Sequence, residues 1–174
     1  MTIVVCPLSR VTEMVALHQP QRVISLLNPD VPFPELGVLY TDRHLRLAFH
    51  DIHEAFGELR MPAPEHVHAV LAFLEDWDRT SPLLIHCHAG ISRSTAVAFI
   101  AACYANPEIA EHEIAVQLRR TAPLARPNEV LVRLADDALA RNGRMVDATA
   151  ATGRELGWID VAEGEPFTIL LNKS

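Results

Sequence analysis

The chain has 174 residues, a formal charge of −7 at pH 7, 49% hydrophobic residues and 21% charged residues. That is enough for one packed domain and short of two, and the acidic balance argues against nucleic acid or an anionic membrane as a partner. No apolar run reaches the ~18 residues of a membrane span, and three cysteines at unpatterned spacing make no disulfide framework, so a reducing cytoplasm is the expected compartment.

Met1-Thr2-Ile3-Val4-Val5-Cys6-Pro7 has no basic region ahead of its apolar stretch and does not read as a signal peptide. Residues 2–6 are expected to form a short strand, and Ser9 to cap a helix through about His18. Arg22 to Leu27 reads as a buried strand closed by Asn28-Pro29-Asp30. Residues 28–43 read as loop, in which Phe33 and Tyr40 either line a pocket rim or pack on the domain. His44 to Phe49 alternates as a strand, and His50 to Met61 lacks periodicity and reads as a mobile loop. Pro62 and Pro64 mark the start of a helix, and Glu65 to Arg79 sets Val67, Val70, Leu71, Leu74 and Trp77 on one side.

Leu83-Leu84-Ile85 is a short apolar strand, and Ser94 to Tyr104 is apolar nearly all round, the pattern of a buried helix. Asn106-Pro107-Glu108 is expected to open a helix to about Arg120. Asn128 is expected to cap another through Ala140, with Gly143 as its stop. Residues 144–153 read as helical, and 158–161 with 167–171 as a hairpin around Glu163-Gly164. Strands alternating with helices give an α/β domain with a central, mainly parallel sheet flanked by helices. A single domain is expected, its core over roughly 1–143 with 144–174 as a C-terminal extension. Ligands in such sheets bind at the carboxyl ends of the strands.

The chemistry concentrates in His86-Cys87-His88-Ala89-Gly90-Ile91-Ser92-Arg93-Ser94, between the apolar strand and the buried helix. Gly90 lets the backbone turn so that successive N–H groups point inward. The helix start adds partial positive charge, and Arg93 adds a planar fork of donors that matches a phosphate. Cys87 sits where that field converges, and cations and helix N-termini favour the thiolate, the nucleophilic form.

This stretch resembles the Cys-x5-Arg-[Ser/Thr] phosphate loop of the cysteine-based protein tyrosine phosphatases. Its fuller form, His-Cys-x-Ala-Gly-x-Ser-Arg-Ser, is most like the dual-specificity branch, as is the spacing of Arg120, Pro123, Pro127 and Asn128. The resemblance implies the phosphatase fold and hydrolysis of phosphate monoesters. In it Cys87 is the nucleophile, residues 88–93 (His88, Ala89, Gly90, Ile91, Ser92 and Arg93) bind phosphate, Ser94 donates to the thiolate, and His86 fixes the loop from behind. It also implies an aspartate on a separate upstream loop as general acid. Asp51 is the candidate, 36 residues ahead of Cys87, with Glu54 and Glu58 as alternatives. Phe49-His50-Asp51 departs from the Trp-Pro-Asp of receptor-like members. No residue stands out as their water-positioning glutamine, and Gln117 falls in a helix.

The spacings of His50, His53, His86, Cys87 and His88 match no zinc pattern, and His66 and His68 face different sides of a helix, so neither metal nor cofactor is expected. Neutral or weakly basic residues at 88, 89 and 91 favour a phosphorylated protein or small aryl phosphate over a polyphosphorylated lipid. A nucleotide or small-metabolite phosphatase and a catalytically weak phosphotyrosine-binding module are the other readings. Cys6 and Cys103 are expected in the core, each a candidate disulfide partner for an oxidised Cys87. Oligomeric state is not legible.

Overall fold

The computed structural model describes residues 1–153 and 162–171. Five strands, β1 (Thr2–Pro7), β2 (Arg22–Leu27), β3 (His44–Ala48), β4 (Leu83–Cys87) and β5 (Phe167–Leu170), form one sheet in the order β3-β2-β4-β1-β5. The first four are parallel, and β5 runs antiparallel to β1, with Val5 opposite Phe167. The central strands are near-continuous apolar runs because both faces of the sheet are covered. Alternation still sorts them. Ile3, Val5, Ile24, Leu26, Leu83 and Ile85 belong to the larger core, while Val4, Val23 and Leu84 pack with Val11 and Met14 of α1 (Val11–His18) on the other side.

The larger core is built on α3 (Arg93–Ala105), in which every residue but Tyr104 is buried. Around it lie α2 (Pro64–Glu75), α4 (Glu111–Thr121), α5 (Glu129–Ala138) and α6 (Arg144–Gly153). An Ala-rich helix that is apolar on all sides suits this place, since small side chains let sheet and helices close on it.

Several elements begin or end elsewhere than the sequence suggests, each because a polar side chain found another partner. Ser9 lies in a 3-10 turn (Leu8–Arg10) and donates to Glu163, so α1 starts at Val11 with no side-chain cap. Asn106 does not open α4. Its side chain donates back to the Ala102 carbonyl at the end of α3, and α4 begins at Glu111. α2 ends at Glu75, and Asp78 instead organises the following turn through Thr80 and Ser81. Gly143 does not stop α5, which ends at Ala138; its N–H donates to the buried Asp136 carboxylate ahead of α6. Tyr40 packs against the smaller core and donates to the Pro20 carbonyl. Residues 158–161 of the expected hairpin lie outside the described residues, and 167–170 pair with β1. No described helix is long and apolar enough to cross a membrane.

Candidate active site

Cys87 ends β4 and is 2% exposed, and residues 88–92 turn directly into α3. Gly90 carries the turn with φ +73°, and a Cβ there would lie 2.7 Å from Pro7 N and 3.0 Å from the Cys6 carbonyl carbon. Only glycine meets both demands at once. The loop carbonyls are turned outward by donors from elsewhere. Leu8 N–H donates to His88 O at 3.0 Å, Arg126 N–H to Ile91 O at 2.9 Å and Asn128 N–H to Ser92 O at 3.4 Å. Carbonyls that face out leave the following N–H groups facing in, which makes a nest for an anion. At its floor Gly90 N–H donates to Cys87 Sγ at 3.2 Å, and Ser94 Oγ lies 3.2 Å from the same sulfur.

Arg93 is 3% exposed, at the start of α3. Its Nη1 donates to the Phe49 carbonyl at 2.6 Å and to Asn28 Oδ1 at 2.9 Å, which fixes the guanidinium plane. Its Nε is buried and has no hydrogen-bond partner among the described residues, an arrangement that ordinarily carries an energetic cost. Asp51 Oδ1 accepts from Ser92 Oγ at 2.7 Å and Asn128 Nδ2 at 2.8 Å, leaving Oδ2 3.9 Å from Arg93 Nε. Glu54 and Glu58 are exposed and do not line the cleft. The 50–60 loop is also tied at its neck, with His50 N–H donating to Arg60 O and Arg60 N–H donating to His50 Nδ1.

His86 is fully buried, one residue behind the cysteine. Its Nε2 meets Ser25 Oγ, which also lies 2.6 Å from His44 Nε2, and Arg46 Nε donates to His44 Nδ1 at 3.2 Å. A guanidinium only donates. The chain therefore has one direction: Arg46 to His44, His44 to Ser25, Ser25 to His86, and the remaining His86 N–H toward the Cys87 carbonyl at 3.5 Å. Burial pushes both imidazoles down to about 4, with Arg46 adding to the effect at His44, so both are neutral near pH 7.

Above the sulfur opens a cleft of about 550 Å³, walled by Asn28, His50, Asp51, Leu59, His88 and Arg126 among others. Cys6 stands opposite His86 on β1, and burial pushes its thiol and that of Cys103 up to about 12. Cys103 lies ten residues along α3 from Arg93, about 15 Å of helix and beyond disulfide reach of Cys87. Gln117 donates to the Leu170 carbonyl and is not in the cleft. Among the described residues no group of three or more His, Cys, Asp or Glu is placed to share a metal ion. Sequence reasoning missed Asn28, Ser25, His44 and the side-chain role of Asn128. All are polar residues in or beside buried elements, and burial itself is the signal that sequence does not carry.

Residues 58–128 match the protein-tyrosine phosphatase family model, a span that holds the whole loop but not Asp51. Among solved structures the chain is similar to DUSP15, at 18% identity and TM-score 0.61 over 89% of this chain and 92% of that one. It is also similar to human DUSP28, at 19% identity and TM-score 0.60 over 80% and 94%. A third likeness is PTPMT1 in complex with PI(5)P, at 16% identity and TM-score 0.56 over 80% and 94%. No curated protein matches the chain.

Proposed function

We propose that this chain is a cysteine-based protein tyrosine phosphatase of the dual-specificity kind, a reading supported by the family-model match and the structural likenesses, and that it hydrolyses phosphate monoesters through a phosphocysteine on Cys87. Phosphotyrosine proteins or small aryl phosphates are the substrates. The observation that carries this reading is the pairing of a buried sulfur, held by one loop amide and one hydroxyl, with an arginine whose buried Nε has no hydrogen-bond acceptor among the described residues. A phosphate seated in the nest supplies that acceptor and lies against the sulfur.

In the first step Cys87 Sγ attacks phosphorus, the ester P–O bond breaks, and the leaving oxygen takes a proton from Asp51. In the second, water attacks phosphorus, Asp51 takes its proton, the S–P bond breaks and inorganic phosphate leaves. Arg93 and the loop amides stabilise the charge spread over the equatorial oxygens. Ser94 Oγ donates to the departing sulfur. A buried neutral His86 braces the Cys87 backbone and carries no proton in the reaction. A reducing cytoplasm suits a working thiolate.

The test is hydrolysis of para-nitrophenyl phosphate with chelator present, comparing the parent chain, Cys87→Ser and Asp51→Asn, with and without vanadate. Turnover that vanadate blocks and Cys87→Ser abolishes is expected. Asp51→Asn should lose about 10²–10⁴-fold on substrates with poor leaving groups. An inactive parent that still binds phosphotyrosine peptide would make the chain a binding module. Faster turnover of mononucleotides or phosphoinositides than of phosphotyrosine peptides would move the substrate class.

A further inference from the structure

One more loop carbonyl has an outside donor, and that donor comes from the C-terminal segment. Gly164 N–H donates to Ala89 O at 2.8 Å. The Ala89 carbonyl and the Gly90 N–H belong to one trans peptide, so the two ends point in opposite directions. Holding the carbonyl outward holds the N–H inward, where it donates to Cys87 Sγ at 3.2 Å. Glycine at position 90 makes this the loop peptide easiest to turn over, and an outside donor selects one orientation.

The segment is seated firmly enough to act this way. A Cβ at Gly164 would lie 3.2 Å from Ile91 Cγ1 and 3.4 Å from Gly90 O. On one side of Gly164, Glu163 Oε2 accepts from Ser9 Oγ at 2.6 Å; on the other, Glu165 pairs with Arg10 at 3.7 Å. β5 then joins the sheet beside β1, with Phe167 opposite Val5. Ser9 and Arg10 belong to the same 3-10 turn whose Leu8 N–H holds the neighbouring His88 carbonyl. The turn and the strap therefore grip two consecutive loop peptides.

We propose that Gly164 is a positioning residue for the catalytic loop: its amide sets the Ala89–Gly90 peptide so that the Gly90 N–H faces the Cys87 sulfur. The catalytic consequence rests on the phosphatase reading; the orientation itself does not. Donors already aimed at the site of charge need no reorganisation when that charge develops. The strap thus contributes to thiolate stability and oxyanion binding without touching substrate.

The experiment follows Cys87 alkylation by iodoacetamide across pH, located by peptide mass, together with protection by vanadate. Neither readout needs turnover, and the Cys6 and Cys103 thiols, at about 12, stay silent. Gly164→Pro removes the N–H. It should move the alkylation midpoint to higher pH and raise the protecting vanadate concentration about tenfold, the loss of one well-placed hydrogen bond. Gly164→Ala keeps the N–H but sets a Cβ against Ile91 and the Gly90 carbonyl, and should shift both readouts less than Gly164→Pro. A folded Gly164→Pro chain with the parent midpoint and parent vanadate protection overturns the proposal. If Gly164→Pro does not fold, the double variant Ser9→Ala/Glu165→Ala removes both side-chain anchors and leaves β5 in place; it should shift both readouts in the same direction, and no shift overturns the proposal. A parent chain without turnover sinks the phosphatase reading alone, because alkylation still decides the role of Gly164.

Discussion

Asn128 holds Asp51 and starts a helix with the same side chain: Nδ2 donates to Asp51 Oδ1 at 2.8 Å, while Oδ1 accepts from the N–H groups of Val130 and Leu131 at 3.1 Å. The loop that carries Asp51 is thereby pinned to the N-terminus of α5. Asn128→Ala should cost about 1 kcal/mol of stability through the lost cap and about tenfold in kcat/KM on substrates with poor leaving groups. Asn128→Ser, itself a capping residue, should restore the melting temperature but not the activity. If both recover together, the bond to Asp51 has no part in turnover.

Arg93→Lys keeps the charge and loses the fork. One amine cannot serve the Phe49 carbonyl, Asn28 and a phosphate together. Vanadate and phosphate binding should weaken at least about tenfold, measured by calorimetry on a Cys87→Ser background. Unchanged affinity would mean that the nest amides alone hold the anion.

Gly90→Ala meets two obstacles, φ +73° and a backbone contact at 2.7 Å. The strain at such positions is on the order of 1–3 kcal/mol before any clash, so a loss of at least about 3 kcal/mol is expected by urea unfolding. A variant as stable as the parent would show that the β1–loop contact yields easily.

Stability should fall as pH drops from 6.5 toward 4. His86 and His44 both sit at about 4 in the folded chain against 6.5 free. The unfolded chain thus binds protons that the folded chain refuses, and stability rises with pH across that window. For the fully buried His86 the shift from 6.5 to about 4 corresponds to about 3 kcal/mol. His86→Asn should flatten the dependence of urea midpoint on pH between 4 and 6.5. An equally steep dependence in that variant would place the titrating group elsewhere.

The sheet was largely legible from sequence because its strands are short apolar runs between turn residues, and the loop because its chemistry is local: Cys87, Gly90 and Arg93 lie within seven consecutive positions. Polar residues with two possible partners were harder. Asn106 has the form of an N-cap but closes the helix before it, and Ser9 has the same form but reaches Glu163. A side chain that bonds across 154 positions leaves no local trace. The supports of the loop and of Asp51 were hidden for the same reason. Asn28 reads as a turn residue, and Ser25 and His44 read as strand fillers, until the parallel register sets Ser25 opposite His86.

The Gly164–Ala89 hydrogen bond also sets a timetable. Cys87 leaves the ribosome well before Gly164, and at ~5–20 residues per second the interval is on the order of 4–15 s. During synthesis the nascent chain carries a cysteine whose cradle is incomplete. On the proposal above, the Gly90 N–H is held toward the sulfur only once Gly164 is in place and the last described strand has joined the sheet.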